Sequence, residues 1–491
     1  MNKITLKKLE KITKIEKKVN TESEEYYDYI RIVSLNNIKY EDITKNTLYF
    51  IIYSEDEENN DGWYVNPIDT RPFIKDIINK YPNFTFVIEQ GLEKELLNTT
   101  TKYLVVKNIH QMINDLFYYY QTNSHAKVIA VTGSVGKTTC VGLIENILKQ
   151  KYNVLRIYSK RITPLGLKAY IINFLDDKID YIVTEISLFY HDHVKILTDL
   201  LKPEIVAILN IKSAHLGVDI LKTQNDICLY KSFIMQYAKK AFLPSNDLYL
   251  SRLSLKNNQL MYNNEILFTN NNLNIKFINI DDVIVKKEEM NINNEIMVKP
   301  FFLSNLSKLQ FLIAYNIAKE LNINNEMIKK GMNTYVPVEN RIQKKRAFNK
   351  EIIFDGDITT PDRLKEMAYN NYEKKYLVIR KVGCSEEYMD QKKIKTVFNY
   401  FDKVFIFDDT DYFDNLDKEK NVVIVNNHDF MNDLDGTIIY HYSGYYRVWK
   451  EYDENNLNIY DNKVYPVLKE RIKVWKRYYY YMDGIGKTIL N

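Results

Sequence analysis

Glycine is scarce in this 491-residue sequence, with only 14 in all, so three within positions 133–142 mark a local demand for backbone freedom. Cysteine is scarcer. The three present, Cys140, Cys228 and Cys384, are far apart and odd in number, which supports neither a disulfide framework nor a paired-cysteine metal site and fits a reducing, cytoplasmic setting. A strong excess of one charge is also lacking, and a net charge of +4 gives no global argument for nucleic acid or an anionic membrane. No run of about 18 apolar residues occurs, so no membrane span is expected. The first twenty residues space apolar side chains among lysines without a continuous apolar core, unlike a secretory signal.

What is present is ordinary globular material: 45% hydrophobic and 27% charged residues, on a chain long enough to predict about three domains. The abundant Asn, Lys, Ile and Tyr fit a biased base composition rather than a function.

The clustered glycines belong to the most informative stretch, AKVIAVTGSVGKTTCVGLIENILKQ, from Ala126 to Gln150. A β-branched run, Val128 to Val131, breaks at a turn from Thr132 to Lys137 and passes into apolar residues at helical spacing, Val141, Ile144, Ile147 and Leu148. Strand, glycine turn and helix together form a phosphate loop: backbone N–H groups of Gly133, Ser134 and Gly136 converge on phosphate oxygens, and the helix adds its positive dipole end. Lys137 would reach the β- and γ-phosphates, and the Thr138 hydroxyl would face Mg²⁺. The long phosphate-loop pattern requires Gly where this chain has Val131, but the short form TGxxGKTT, Thr132 to Thr139, is complete.

Before this stretch, short strands are expected at Tyr29 to Val33, Thr47 to Tyr53, Thr85 to Ile88 and Tyr103 to Val106, with helices near the basic N-terminus and at Phe73 to Lys80. The acidic run Glu55 to Gly62 reads as a solvated turn, and a linker falls near Gln121 to His125. After it, strands at Val154 to Ile157, Tyr181 to Glu185 and Ile205 to Asn210 alternate with helical patterns, which predicts a mostly parallel sheet with ligands beyond its carboxyl ends. Glu185 and Asn210 sit at two such ends. Residues 245–300 read as a small antiparallel excursion, followed by a helix from Leu306 to Leu321. A second alternating series follows: strand Ile352 to Phe354, helix Pro361 to Tyr372, strand Tyr376 to Arg380, helix Glu386 to Phe401, then strands Val404 to Phe407, Val422 to Val425 and Thr437 to Tyr440. A basic aromatic helix is expected at Tyr465 to Tyr481.

Four stretches together resemble the Mur ligase family, ATP-dependent enzymes that join a carboxylate to an amine. They are the loop Thr132 to Thr139; Glu185 in VTEIS; KPEIVAILNIKSAHLG, with Asn210 and His215 five residues apart; and Asn340-Arg341-Ile342-Gln343 with the run DGDITTPD from Asp355 to Asp362. The resemblance implies an α/β protein of three domains: a small N-terminal substrate-binding-like domain, 1–125; a central ATP-binding domain, 126–335; and a Rossmann-like C-terminal ligase domain, 336–491. It implies Mg²⁺ at Thr138, Glu185, His215 and Lys231, the last as a carbamate formed with CO₂. An ordinary surface lysine on a helix fits Lys231 equally, and a structural histidine fits His215. By the same resemblance Thr139 and Asn210 shape the ATP site, and Arg341 and Asp355 contact ATP from the C-terminal domain. The run Gly383 to Lys393 is similar to the branch that adds the third peptide residue in cell-wall synthesis, and the resemblance, carried mainly by residues 126–220 and 335–410, is closest to that branch or the one adding the terminal dipeptide.

These residue types suit one reaction. ATP phosphorylates a carboxylate, an amine displaces the phosphate, and Lys137, Mg²⁺ and Arg341 meet the negative charge that develops. The chain departs from the family at the acceptor side. Asp409-Thr410-Asp411-Tyr412 stands where the family's Asp-Asn-Pro-Arg loop grips a carboxylate, so the Arg is missing: the acceptor is expected to be something other than free lysine or a diaminoacid held by that loop, or its carboxylate to be held elsewhere, with Arg380 or Arg447 near strand ends as candidates. Asp357 and Ile358 replace a family Tyr and Asn, and no clear His-Asn precedes the Leu306 helix.

Three further features read as structural rather than functional. Gly484-Ile485-Gly486-Lys487-Thr488 mimics a phosphate loop without room for a helix after it. The Lys469 to Tyr481 segment, basic and aromatic, reads as a helix on the third domain rather than a nucleic-acid binder. His191 and His193 read as a solvated turn into a helix rather than a metal pair.

The expected activity is amide formation through an acyl-phosphate, with ATP and Mg²⁺, a small-molecule carboxylate donor that is a nucleotide-linked sugar or peptide, and an amine acceptor. A cytoplasmic monomer or small homo-oligomer is expected. The alternatives are the same mechanism in specialised-metabolite or poly-amino-acid synthesis, and a nucleotide-binding regulatory protein without catalysis.

Overall fold

Parallel strands need long crossovers, and the spacing of apolar runs in this chain supplies them; the computed structural model shows the resulting α/β layers. It describes residues 3–442 except 33–45, 54–69, 72–73, 97–99, 158–161, 189, 214–215, 217–219, 339–341, 348–349, 357–359, 369–373, 382–390, 409 and 411–412. The described residues fall into two units, one drawn from 1–129 and 152–203, the other from 130–151 and from 204 onward.

The first unit holds a five-stranded sheet in the order Lys17–Val19, Lys102–Val106, Thr85–Glu89, Thr47–Phe50, Tyr29–Arg31. All pairings are parallel except the first, which is antiparallel. Tyr49, Ile77, Tyr81, Phe84, Phe86 and Ile88 pack one face of it. The expected linker near 121–125 is in part helix, because Ile109–Thr122 buries Ile109, Met112, Ile113, Leu116 and Phe117. In the same unit Val154–Ile157 and Tyr181–Glu185 pair in parallel. Asn173, on helix Pro164–Phe174, replaces a neighbouring strand for Ile30: its Oδ1 accepts the Ile30 N–H at 2.9 Å and its Nδ2 donates to the Ile30 carbonyl at 2.8 Å.

The second unit contains the parallel run Asn274–Ile278, Lys240–Pro244, Ile205–Ile208 and the end of Lys127–Thr132. The expected antiparallel excursion is two meanders of three strands, Leu253–Lys256, Gln259–Tyr262, Glu265–Thr269 and Val283–Lys286, Glu289–Ile292, Ile296–Val298. Their tight turns use Asn257-Asn258, Asn263-Asn264 and Asn293-Asn294, all at positive φ, which Asn tolerates better than most residues. Between the meanders Asn274–Ile278 joins the main sheet in parallel.

A six-stranded sheet closes the described chain, in the order Gln343–Ala347, Lys350–Asp355, Thr437–Tyr442, Lys375–Lys381, Lys403–Phe407, Val422–Val425. Only its first pairing is antiparallel. Leu364, Met367, Ile394 and Phe398 cover one face, and Met431 and Tyr440 lie on the other. Its first helix, Pro361–Ala368, opens with Pro361 in the first turn, where a missing N–H costs nothing. Residues 386–390 of the helix expected at Glu386 to Phe401 lie outside the described residues; from Gln391 it is helical to Thr396 and tightens to a 3₁₀ turn at Val397–Tyr400. The segments expected at Tyr465 to Tyr481 and Gly484 to Thr488 lie outside them as well.

Candidate active site

The strand Lys127–Thr132 is buried from Val128 onward, and the chain leaves it through two glycines whose geometry no other residue fits. Gly133 has φ +145°, and a Cβ there would lie 2.9 Å from Leu209 Cβ; Gly136 has φ +93°, and a Cβ would lie 2.6 Å from Gln310 Nε2. Gly136 is also the N-cap of helix Lys137–Leu148, so the loop delivers Lys137, Thr138 and Thr139 to a helix N-terminus.

Asn210 locks this loop. Its Oδ1 accepts the Val135 N–H, its Nδ2 donates to the Val135 carbonyl, and its own carbonyl accepts the Ser134 N–H, all at 3.0 Å. The Lys212 N–H donates to Ser134 Oγ at 2.9 Å. The stretch that carries Asn210 is itself tied down by Asp247, whose Oδ2 accepts the Ile211 N–H at 2.9 Å. Thr132 continues the ladder by accepting the Leu209 N–H at 2.9 Å.

Two lysines meet the loop. Lys137 Nζ donates to the carbonyls of Gly133 and Ser134, at 2.7 and 3.2 Å. Lys231, near the end of helix Gln224–Ser232, is fully buried, and its Nζ donates to the Gly133 carbonyl at 3.2 Å. Burial, reinforced by the Lys137 charge, holds its ammonium well below the ordinary lysine range. The surface-lysine alternative is thereby corrected: the helix turns this position inward, onto the phosphate loop.

A cleft beside the loop is lined by Thr138, Thr139, Ser304, Gln310, Arg363 and Glu366. Where the family's His-Asn was sought, Ser304 and Ser307 form a capping box for helix Asn305–Glu320. Gln310, on that helix, donates to the Gly136 carbonyl at 2.9 Å.

Asp355 ends strand Lys350–Asp355 and is completely buried. Arg363 donates to both of its oxygens, through Nε to Oδ2 at 2.7 Å and through Nη2 to Oδ1. His441 Nδ1 lies 3.1 Å from Oδ2, and the Ile342 N–H donates to Oδ1 at 3.4 Å. Burial alone would raise this carboxyl's pKa, but the Arg363 charge and hydrogen bonds outweigh it and hold it far below the usual carboxylate range. Asp355 thus shapes the turn before strand Gln343–Ala347. Ile342 in that turn lines the same cleft at φ +41°, a conformation a β-branched residue avoids without strong local support.

Glu185 closes its strand in the first unit and is buried. His193 is also buried, with its Nε2 2.9 Å from the Ile162 carbonyl, so the solvated-face reading is corrected for it: His193 opens helix His193–Leu201 on its inward side. Among the described residues no group of three or more His, Cys, Asp or Glu is placed to hold a metal. Arg380 is buried with its guanidinium carbon 4.2 Å from the Phe407 ring centroid. His215, Arg341, Asp357, Ile358, Gly383, Cys384, Asp409, Asp411, Tyr412 and Arg447 lie outside the described residues. Gln310, Arg363, Glu366, His441 and Asp247 were missed by sequence reasoning; the only local signal was the carboxylate pair Asp362 and Glu366 on one helix face.

Comparison with known proteins is consistent with this geometry. The UDP-N-acetylmuramoyl-tripeptide--D-alanyl-D-alanine ligase of Borreliella burgdorferi is 29% identical over 171 residues, 33% of this chain and 36% of that protein. The enzyme of the same name from Buchnera aphidicola is 24% identical over 342 residues, 64% of this chain and 71% of that one. The first match thus spans little more than a third of the relative's length. Among solved structures, MurF from Acinetobacter baumannii has a TM-score of 0.65 at 16% identity, over 90% of this chain and 96% of that chain. MurF ligase from Thermotoga maritima in complex with ADP has a TM-score of 0.61 at 16% identity, over 81% and 91%. These likenesses show the three-domain α/β fold expected from the sequence. The profile of the Mur ligase middle domain matches residues 131–328, which include the phosphate loop, Asn210, Lys231 and Gln310, and over those residues the chain is similar to the Mur ligases.

Proposed function

We propose that this protein is an ATP-dependent carboxylate–amine ligase that forms an amide through an acyl-phosphate and releases ADP and phosphate. The observation that carries the reading is the buried Lys231 amine set against a phosphate loop that already has its own lysine. A structural lysine has little reason to be desolvated beside a second cation, whereas burial and the Lys137 charge, which push this pKa well below the ordinary lysine range, favour the free amine that reacts with CO₂ to give a carbamate.

The chain's own residues then divide the work. Backbone N–H groups of Gly133 and Gly136 and the start of helix Lys137–Leu148 hold the β- and γ-phosphates, with Lys137 turning from the loop carbonyls to the transferring group; the Ser134 N–H, expected among them, is instead taken by the Asn210 carbonyl. An oxygen of the donor carboxylate attacks the γ-phosphorus and the bond to ADP breaks. The amine then attacks the acyl carbon, phosphate departs with that oxygen, and the amine loses a proton. Asp355 positions the turn at Ile342, and by family resemblance Arg341 meets the developing charge. By family resemblance Thr138, Glu185, His215 and a Lys231 carbamate would hold Mg²⁺, which takes hard oxygen donors such as a hydroxyl, a carboxylate and a carbamate. Bound there, Mg²⁺ neutralises charge on the transferring phosphoryl group.

The domains are assigned as 1–125, 126–335 and 336–491, and the protein as a cytoplasmic monomer or small homo-oligomer. Among the described residues no helix is long and apolar enough to cross a membrane. By likeness to its relatives' names, the donor is a nucleotide-linked peptide and the acceptor a dipeptide, with Arg380 holding the acceptor carboxylate. Amide formation assayed with UDP-N-acetylmuramoyl-tripeptide and D-alanyl-D-alanine, beside a panel of amines with and without a carboxylate, tests this reading. Efficient coupling that Arg380→Ala leaves untouched would remove Arg380 from the acceptor site.

A further inference from the structure

We propose that Asp362 and Glu366 are positioning residues that couple nucleotide binding at the phosphate loop to docking of the C-terminal sheet. The proposal rests on the ligase reading only in taking the nucleotide to be ATP.

The two carboxylates are four residues apart on helix Pro361–Ala368 and therefore share a face. Asp362 reaches the loop through Ser213 and Lys212, and Glu366 through Leu306. Asp362 Oδ2 accepts the Ser213 hydroxyl at 3.3 Å, and Lys212, next to Ser213, donates its N–H to Ser134 Oγ at 2.9 Å. Glu366 Oε2 accepts the Leu306 N–H at 3.1 Å, and the Leu306 side chain packs where a Cβ on Gly136 would fall, 2.9 Å from Leu306 Cδ1. One arm therefore ends at Ser134 and the other at Gly136, the two sides of the phosphate loop.

Arg363, between the two acids, is fixed to buried Asp355 at the end of its strand, so the helix moves with the sheet. Glu366 also lines the cleft. A carboxylate beside a polyanion site opposes binding on charge alone, and burial raises its pKa against the pull of the Leu306 N–H and Lys212. Its contact with the N-terminus of helix Asn305–Glu320 supplies a stabilising role that offsets this cost. A nucleotide that orders the loop then strengthens both arms, and the arms strengthen nucleotide binding by the same factor.

The test is hydrogen exchange in residues 361–368 of the full chain with and without ADP, together with ADP affinity, for the parent, Glu366→Ala, Glu366→Gln and the double variant Asp362→Asn/Glu366→Ala. In the parent ADP is expected to slow exchange in this helix. Glu366→Ala should weaken ADP binding about tenfold, the effect of one charged hydrogen bond, and the double variant should abolish the ADP-dependent protection. Glu366→Gln keeps an acceptor for the Leu306 N–H and should restore most of the affinity. Unchanged ADP affinity and protection in the double variant, with only a lower unfolding midpoint, would overturn the coupling alone. A parent chain that binds no ADP would overturn the nucleotide site and the coupling with it.

Discussion

Lys137 and Lys231, 94 positions apart in sequence, converge on one acceptor: the Gly133 carbonyl takes a hydrogen bond from the first at 2.7 Å and from the second at 3.2 Å. Lys137 is part buried and sits at a helix start, whereas Lys231 is sealed from solvent. The same side chain in two environments has two dispositions: burial and the neighbouring Lys137 charge push the Lys231 pKa well below the ordinary lysine range.

Replacing Lys231 by Met should therefore separate stability from function. A methionine fills similar volume without a buried amine, so Lys231→Met is expected to gain roughly 1 kcal/mol or more of unfolding free energy while losing ATP turnover. The pH dependence has a defined sign. Between the lowered folded pKa and the ordinary 10.5, the unfolded chain binds a proton that the folded chain does not, so stability rises with pH across that window. Urea unfolding against pH should show this rise in the parent and its loss in Lys231→Met.

On the proposed reading Lys137 acts on the transferring phosphoryl group directly. Lys137→Ala should lose on the order of 10² or more in turnover, as expected for a preorganised electrostatic contact. A folded variant with parental turnover would remove the phosphate-loop assignment.

Asp355 and Arg363 form a buried pair, and removing one partner leaves the other charge uncompensated. Asp355→Asn should cost about 3 kcal/mol in urea unfolding at neutral pH. Because the folded pKa of Asp355 is depressed, its contribution is full above the ordinary 3.8 and declines as pH falls below it. The gap between the parent and Asp355→Asn should therefore narrow in acid.

Gly136→Ala combines a strained positive φ with a clash against Gln310 and Leu306. It should destabilise by about 1–3 kcal/mol and weaken ADP binding, measured by thermal melting and titration.

The phosphate loop was legible because strand, turn and helix are contiguous and each has its own local signal. The alternating strands were legible for the same reason, although the edge strand Gln343–Ala347, QKKRA, carries no apolar alternation and was passed over. Lys231 could be placed on a helix, but its burial depends on Gly133, 98 positions away, which no periodicity reports. His441 lies 86 positions from Asp355 and meets it only because parallel pairing sets Asp355 beside His441. His193 was misjudged because its helix packs its first turn inward at a position flanked by polar neighbours.

In the proposed reaction ATP is cleaved between its β- and γ-phosphates to activate a carboxylate. Chromatography of the nucleotide products, with UDP-N-acetylmuramoyl-tripeptide, D-alanyl-D-alanine, ATP and Mg²⁺ supplied, reads this cleavage. ADP and phosphate are expected in step with the amide formed, whereas AMP with pyrophosphate, or amide without nucleotide consumption, would rule the reaction out.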